Sequence, residues 1–561
     1  MNLPPALTVP WPQLSPRGRR VFFWTSLAGL LVVLADAAGA RFAWSLWPIS
    51  DPDTWGYLHP GLARLRGEGF QHTYGRNFLY PGWVWLLLRL FGDFRAIPVA
   101  QHLLGLATGG LLWTAWRQWR AFLTNTRLPA WVDALLGLAL TTFFLRSASV
   151  VYYENQIRPE AVFPFCAALQ VCALFAFLRA WGVDRHPLRA AVRGGASVFL
   201  AVALYQLKPS FGLAAGLAAL PILWAFLRPW TRDPLPRRRL AVGVGVGGAL
   251  AAVLFVLPER RLARTDEFSG LFLPETLLTV HAGLVRDQLV QDARDRAQTP
   301  FDPALLQEAA PLLDQETRRA SQPEAKPYPS LGYNPDYLMY RQDSFCHWLL
   351  DHGGPRFTAT FCYYYYQKTA LRHPLRMAGK VGRQLGVFYR LHCPAFWPAR
   401  RFAVAKLYGD TGKALAYPNY QEQLRANGPG RAYLDAAARL QDSPELYRAA
   451  PSIVGANVAA SVCYLPILGL FLAGMGWVSR WPGERRAGLW AAGWLIAVVH
   501  GLCFGNCLTI SIVHSLDVDR YGYNLVVYAA WCELAALLWV GEVAAAWFWS
   551  RRPDLPIRPA R

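Results

Sequence analysis

Acidic residues are scarce: 36 Asp and Glu stand against 57 Lys and Arg, a net charge of +21, and charged residues of all kinds make up only 17% of 561. So basic a soluble protein would point to nucleic acid, but the chain has no recognised nucleic-acid motif and no basic face, so no nucleic-acid partner is expected. Its nine cysteines form neither a disulfide framework nor a zinc spacing. Cys166, Cys172, Cys463, Cys503, Cys507 and Cys532 lie inside apolar runs, where a small buried hydrophobe is the default reading. The first apolar run lacks a small-residue cleavage pattern and reads as a retained anchor, not a signal peptide. Solenoid-type repeats are missing too.

What is abundant is apolar sequence, 54% of the chain, against about 45–50% in a soluble domain. The expected class is an all-α polytopic membrane protein with about ten spans. Val21 to Ala40 is long enough to cross about 30 Å at 1.5 Å per residue. Further runs follow at Ile97–Trp116, Ala130–Leu145, Ala161–Trp181, Gly194–Leu207, Phe211–Leu227, Leu240–Leu257, Ile453–Val478, Gly488–Ile510 and Leu525–Trp547. The third and fifth are short, and are extended by flanking residues, tilted, or not fully crossing.

Arginines mark every second connection. Arg17, Arg19 and Arg20 precede the first span. Later come Arg117, Arg120 and Arg127; Arg179, Arg185, Arg189 and Arg193; Arg228, Arg232 and Arg237 to Arg239; Arg480, Arg485 and Arg486; and Arg551, Arg552, Arg558 and Arg561. The positive-inside rule then puts both termini in the cytoplasm and two long segments, Arg41–Ala96 and Pro258–Pro451, on the outer face. Three parts result: a membrane module over 1–257, an extracytoplasmic domain over 258–451 and a second membrane module over 452–561.

Within the first outer loop, Phe78–Gly92 is apolar but too short to span, and suits an interfacial helix. In the second, Ala370–Leu391 has Leu371, Leu375, Val381, Leu385 and Phe388 near helical spacing with basic residues between. That fits an amphipathic helix on either a membrane surface or the domain's own core. Tyr363–Tyr366 is either a sugar platform or an interfacial aromatic cluster. Gly243–Gly248 has the letters of a dinucleotide fingerprint, but inside a span small residues at that spacing are a helix-packing surface.

Chemistry is expected at the outer ends of spans. Asp51-Pro-Asp53 matches the Asp-x-Asp signature of nucleotide-sugar transferases, yet the topology places it where nucleotide sugars are not made. A donor carried across the membrane on a polyprenyl phosphate needs a carboxylate to take the proton of an acceptor hydroxyl and cations for the departing phosphate. Asp51 and Asp53 supply the first; Arg76, Arg158, Lys208 and Arg520, from four outer connections, supply the second.

Several short motifs then resemble one family. Asp53 to Tyr57, "DTWGY", and Gly75 to Gly92, "GRNFLYPGWVWLLLRLFG", are similar to the first-loop signature of the GT-C integral-membrane glycosyltransferases. The likeness is to the branch of protein O-mannosyltransferases and lipid A aminoarabinose transferases. "IRPE" at Ile157–Glu160, "LKPS" at Leu207–Ser210 and "DRYGYN" at Asp519–Asn524 follow in order. The resemblance implies a GT-C helix bundle and an inverting transferase acting at the outer face of a bacterial-type inner membrane. Its partners would be a polyprenyl-phosphate sugar, an unknown acceptor and membrane lipids. It also implies Asp53 as base, Asp51 as helper, and Tyr57, Arg76, Tyr80, Arg158, Glu160, Lys208, Arg520 and Tyr521 at the substrate. No cofactor is implied, and nothing indicates a divalent cation. The chain departs from the pattern in having Thr54 where the family often has Glu, and residues 258–451 match nothing nameable.

Each residue also has a plainer reading. Asp51 or Asp53 is a helix cap, Arg158 pairs with Glu160, Lys208 snorkels, Arg520 pairs with Asp517 or Asp519, and His59 and His72 are solvated. Glu533 and Glu542, inside the last span, would suit a proton-coupled transporter or lipid flippase. A non-catalytic scaffold presenting residues 258–451 is the third reading.

Overall fold

A computed structural model describes residues 15–550 apart from Tyr74, Asn125, Trp230 and Arg232, and omits the side chains of Pro16, Arg19, Glu484, Arg485 and Ser550. Arg551, Arg552, Arg558 and Arg561, with Arg232, therefore lie outside the described residues. Among those described, nine helices are long and apolar enough to cross a membrane. Almost everything else is helical, apart from an antiparallel ribbon pairing Arg401–Ala403 with Leu446–Arg448. The protein is an all-α polytopic membrane protein.

The third expected span is broken. Ala130–Arg146 and Ala148–Glu154 meet at 49°, because Ser147 leaves the helix with ψ 121° and its hydroxyl bonds to Ser149 at 2.8 Å. The bend carries Glu154 inward onto Arg41, which grips it with Nε (2.8 Å) and Nη2 (3.0 Å). His102 adds a third contact at 2.8 Å. Removing one partner of such a buried pair costs about 3–5 kcal/mol, so this triad locks the first three spans together at one end. The fifth span is longer than expected, Pro187–Leu207, its first turn started by Pro187.

Gly243 and Gly247 form a packing surface. A Cβ on Gly243 would stand 2.2 Å from the Ala191 carbonyl oxygen, and one on Gly247 2.1 Å from that of Gly195. Only bare backbone allows this approach. The last helix, Val526–Ser550, is the hub, with Trp531 and Trp539 fully buried. Leu235–Ala263 and Pro451–Val478 are buried over only 17% of their spanning windows and present apolar surface outward.

Leu79–Phe91 forms the expected short apolar helix, ended by Gly92 at φ 61°. The stretch 370–391 differs from expectation. Pro374 cannot continue the helix Phe345–Arg372, so a new one starts there and runs to Phe388. Its buried residues are Met377, Lys380, Gln384 and Phe388, while Leu371 and Leu375 are exposed. The buried polar groups pin this helix to the bundle: Lys380 donates to the Ser511 carbonyl (2.7 Å), and Gln384 Oε1 accepts from Leu516 N (2.7 Å). Tyr365 is no sugar platform; it is fully buried against Phe301 and Phe361.

Candidate active site

The backbone first brings two segments alongside. Ile49 N donates to Asn155 O (2.7 Å) and Ile157 N to Ile49 O (3.2 Å), a parallel bridge between Ile49 and Gln156. Two residues further along each strand-like segment stand Asp51 and Arg158, joined at 2.5 Å. Asp51 also organises its own turn, since its Oδ1 accepts from Asp53 N and from Thr54 Oγ1, both at 3.1 Å. Asp53 stands at the cap position of the helix Thr54–Leu65 but makes no cap bond.

Its carboxylate instead gathers three guanidiniums. Arg76 Nη2 reaches Oδ1 at 2.8 Å, while Arg158 Nη2 and Arg520 Nη1 both donate to Oδ2. Arg76 is aimed by a tight turn, with Thr73 bridged to Arg76 and Gly75 at φ +69° against the Phe272 ring. Arg520 rides on the short helix Asp519–Tyr523, ahead of the last span. A second pair, Lys208 with Glu160, stands beside the first. The Tyr521 ring joins the two, with Arg520 at 5.2 Å and Lys208 at 5.8 Å from its centroid. Arg76 lies 5.1 Å from the Tyr57 ring.

Nine of the ten residues expected at the site therefore assemble. Tyr80 does not present its hydroxyl: it is buried and donates to Gln101 (2.8 Å), which holds the carbonyls of Glu154 and Gln156. It braces the 154–160 turn from behind. The plainer pairings do not occur. Arg158 engages the aspartates and not Glu160, Lys208 is buried on Glu160, and Asp517 accepts from Ser330 while Arg520 goes to Asp53. His72 is not solvated; it bonds Asp266 (2.6 Å) and Glu259 (3.1 Å). His59 bonds Gln423 and Gln71. Glu542 accepts Arg127 N (2.6 Å) and pairs with Arg120 (3.7 Å), a structural tie that explains its place in the last span.

Four cations here face three carboxylates. Burial alone would raise the Asp53 carboxyl, but Arg520, Arg76 and Arg158 outweigh it and hold it well below the usual carboxylate range. Asp51, with Arg158 opposing burial and Asp53 adding repulsion, is raised above its ordinary value. The Nε atoms of Arg76, Arg158 and Arg520 are all buried without an acceptor, whereas buried donors are normally satisfied. The cluster stays open on one side, with Asp53 and Arg520 side chains 26% and 24% exposed. Among the described residues, no three His, Cys, Asp or Glu side chains are grouped as metal ligands. The oxygens of Asp51 and Asp53 face arginines.

Sequence reasoning missed the segment Tyr328–Tyr340, which is tied to the loop carrying Arg520 where Ser330 N donates to Asp517 Oδ2 at 3.1 Å. Asp336 accepts from the Tyr328 hydroxyl (2.7 Å) and feels the charges of Arg520 and Asp53. Tyr340 feels Arg76 and Asp53. The only signal was the helix start Asn334-Pro335-Asp336, where Asn334 Oδ1 caps Asp336 N.

No protein-family model and no curated protein matches the chain. Among solved structures it is similar to the oligosaccharyltransferase of Archaeoglobus fulgidus, crystallised with Zn and sulfate, at 11% identity and TM-score 0.37, over 94% of this chain and 52% of that one. It is also similar to ArnT from Cupriavidus metallidurans, in the apo state (15% identity, TM-score 0.28, 88% and 76% coverage) and bound to undecaprenyl phosphate (17%, 0.27, 89% and 78%). The solved structures it resembles are GT-C glycosyltransferases. The chain spans about half the length of the archaeal enzyme.

Proposed function

We propose that this protein is an inverting GT-C-type glycosyltransferase. It moves a sugar from a polyprenyl-phosphate donor to an acceptor on the extracytoplasmic face of a bacterial-type inner membrane. The observation that carries this reading is the convergence of Arg76, Arg158, Arg520 and Lys208, from four connections, with three guanidinium Nε donors still unpartnered. Such a set suits a phosphate ester whose negative charge grows as the sugar leaves. The lipid tail would lie along the spans with the phosphate at their ends. The family resemblance and the undecaprenyl phosphate held by ArnT agree with that donor class. Asp53 keeps the arginines oriented, Asp51 fixes the turn that carries it, and a carboxylate of the site takes the acceptor's proton as the new bond forms. The resemblance points to Asp53 for that step.

The test is sugar transfer by purified protein from a polyprenyl-phosphate donor. Asp53→Asn should lower turnover at least about a hundredfold, the scale of losing a positioned acid–base or orienting group. Turnover like wild type would remove Asp53 from the reaction centre.

A further inference from the structure

The helix Pro374–Phe388 buries Met377, Lys380, Gln384 and Phe388 against the bundle and leaves its other face open. On that face Arg376, Gly379, Arg383 and Gly386 recur at helical spacing, and Arg390 follows just beyond the last turn, all of them exposed. A Cβ on Gly379, Gly382 or Gly386 would meet nothing within 4 Å, so no other part of the chain covers the stripe. Arg376 pairs with Asp287 at 2.7 Å. Arg383 and Arg390 have no carboxylate in ion-pair reach among the described residues; Arg390 Nε only donates to the His392 carbonyl at 3.0 Å.

Contacts fix the depth of this face. Cys393 N donates to Ser461 O (3.1 Å), and Ser461 Oγ donates to Cys393 O (3.0 Å). Ser461 lies on the helix Pro451–Val478, about 25 Å from the Val478 end that leads to Arg480, and the apolar core of a bilayer is about 30 Å thick. The Tyr389 hydroxyl lies 3.4 Å from His500 Nε2, inside the span Gly483–Val513. Pro394 packs on the helix that carries Arg520, where a Cβ on Gly522 would stand 2.8 Å from its carbonyl oxygen. Arg383 and Arg390 therefore stand where hydrocarbon gives way to headgroups, on the side of the Asp53 cluster, with Leu391 beside them 58% exposed. Guanidiniums at that depth are costly unless a partner meets them, and a phosphate is such a partner.

We infer that this face binds anionic glycerophospholipids of the leaflet on the site's side. Arg383 and Arg390 take the phosphates, the glycines let a headgroup approach the backbone, and Leu391 meets the acyl chains. The lipid is held and not consumed, and the inference needs only that the spans cross a bilayer. In a Cys463→Ser background, Gly386→Cys takes a bimane label on the open face. The full-length protein then enters phosphatidylcholine nanodiscs doped with phosphatidylglycerol or phosphatidylcholine that carries a doxyl quencher. Doxyl phosphatidylglycerol should quench with about tenfold higher apparent affinity than doxyl phosphatidylcholine. Arg383→Gln with Arg390→Gln should abolish the preference, and high salt should weaken it. Quenching by doxyl phosphatidylcholine should be the same in both proteins, which reports that the helix is still seated. Equal affinity for the two lipids in wild type, a preference that survives in the double variant, or no quenching by either lipid overturns the inference. Displacement of doxyl phosphatidylglycerol by polyprenyl phosphate at equal amounts also overturns it and assigns the face to that lipid. The glycosyltransferase reading is judged separately, by sugar transfer.

Discussion

Arg520 donates to Asp53 through one end of its fork while its Nε, buried, has no acceptor. Lysine in its place would keep the charge and lose the planar fork. If the free donors are for phosphate, Arg520→Lys forfeits at least one charge-assisted hydrogen bond, about 1.5–3 kcal/mol. Polyprenyl phosphate should then bind roughly tenfold to a hundredfold more weakly, read by titrating a labelled lipid phosphate into nanodiscs holding the protein. Equal affinity would mean that Arg520 serves only Asp53. The aspartates and cations were legible in the sequence because ionisable side chains at the ends of apolar runs need a partner or a task. Which carboxylate takes which guanidinium was not legible. That depends on the bridge between Ile49 and Gln156 and on the turn at Gly75, contacts between loops far apart in the chain.

At the scale of elements, most spans could be read from length and apolarity, and the departures have local causes: Ser147 breaking the third span and Pro374 restarting a helix. His72 is a departure with a function for the architecture. It ties the first loop, four residues before Arg76, to the helix Leu257–Ala263 through Glu259 and to Asp266 beyond it. Burial disfavours its charge, but the hydrogen bonds it donates to both carboxylates win and its pKa is raised above 6.5. A group raised on folding stabilises fully below its unfolded value and loses that contribution as pH climbs through the folded one. The tie should therefore be strongest below about pH 6.5 and weaken towards alkaline pH. Thermal melts of wild type should fall on raising pH through that window, and those of His72→Gln should start lower and vary less. A variant whose melting follows the wild-type pH curve would show that the tie does not depend on the imidazole charge.

For the whole molecule, orientation decides whether this site can meet a lipid-linked donor outside the cytoplasm. The arginine-rich turns and the Asp53 cluster lie at opposite ends of the spans: Arg117 and Arg120 close the second span and the Arg237–Arg239 triplet opens the seventh, whereas Arg158 and Lys208 stand where the fourth and sixth begin. Arginine in short connections is retained on the cytoplasmic side, so the cluster and the domain pinned over it should be extracytoplasmic. Cys463 is the exposed native thiol, and a Cys463→Ser background permits single-site labelling with a membrane-impermeant maleimide. Glu267→Cys, exposed near the start of the large domain, should label in spheroplasts with the inner membrane sealed. Arg238→Cys, exposed in the triplet, should label only after lysis. The reverse pattern would put the Asp53 cluster in the cytoplasm, where soluble nucleotide sugars are at hand and the need for a polyprenyl carrier disappears. The orientation thus bears on the donor class as directly as any substitution in the site.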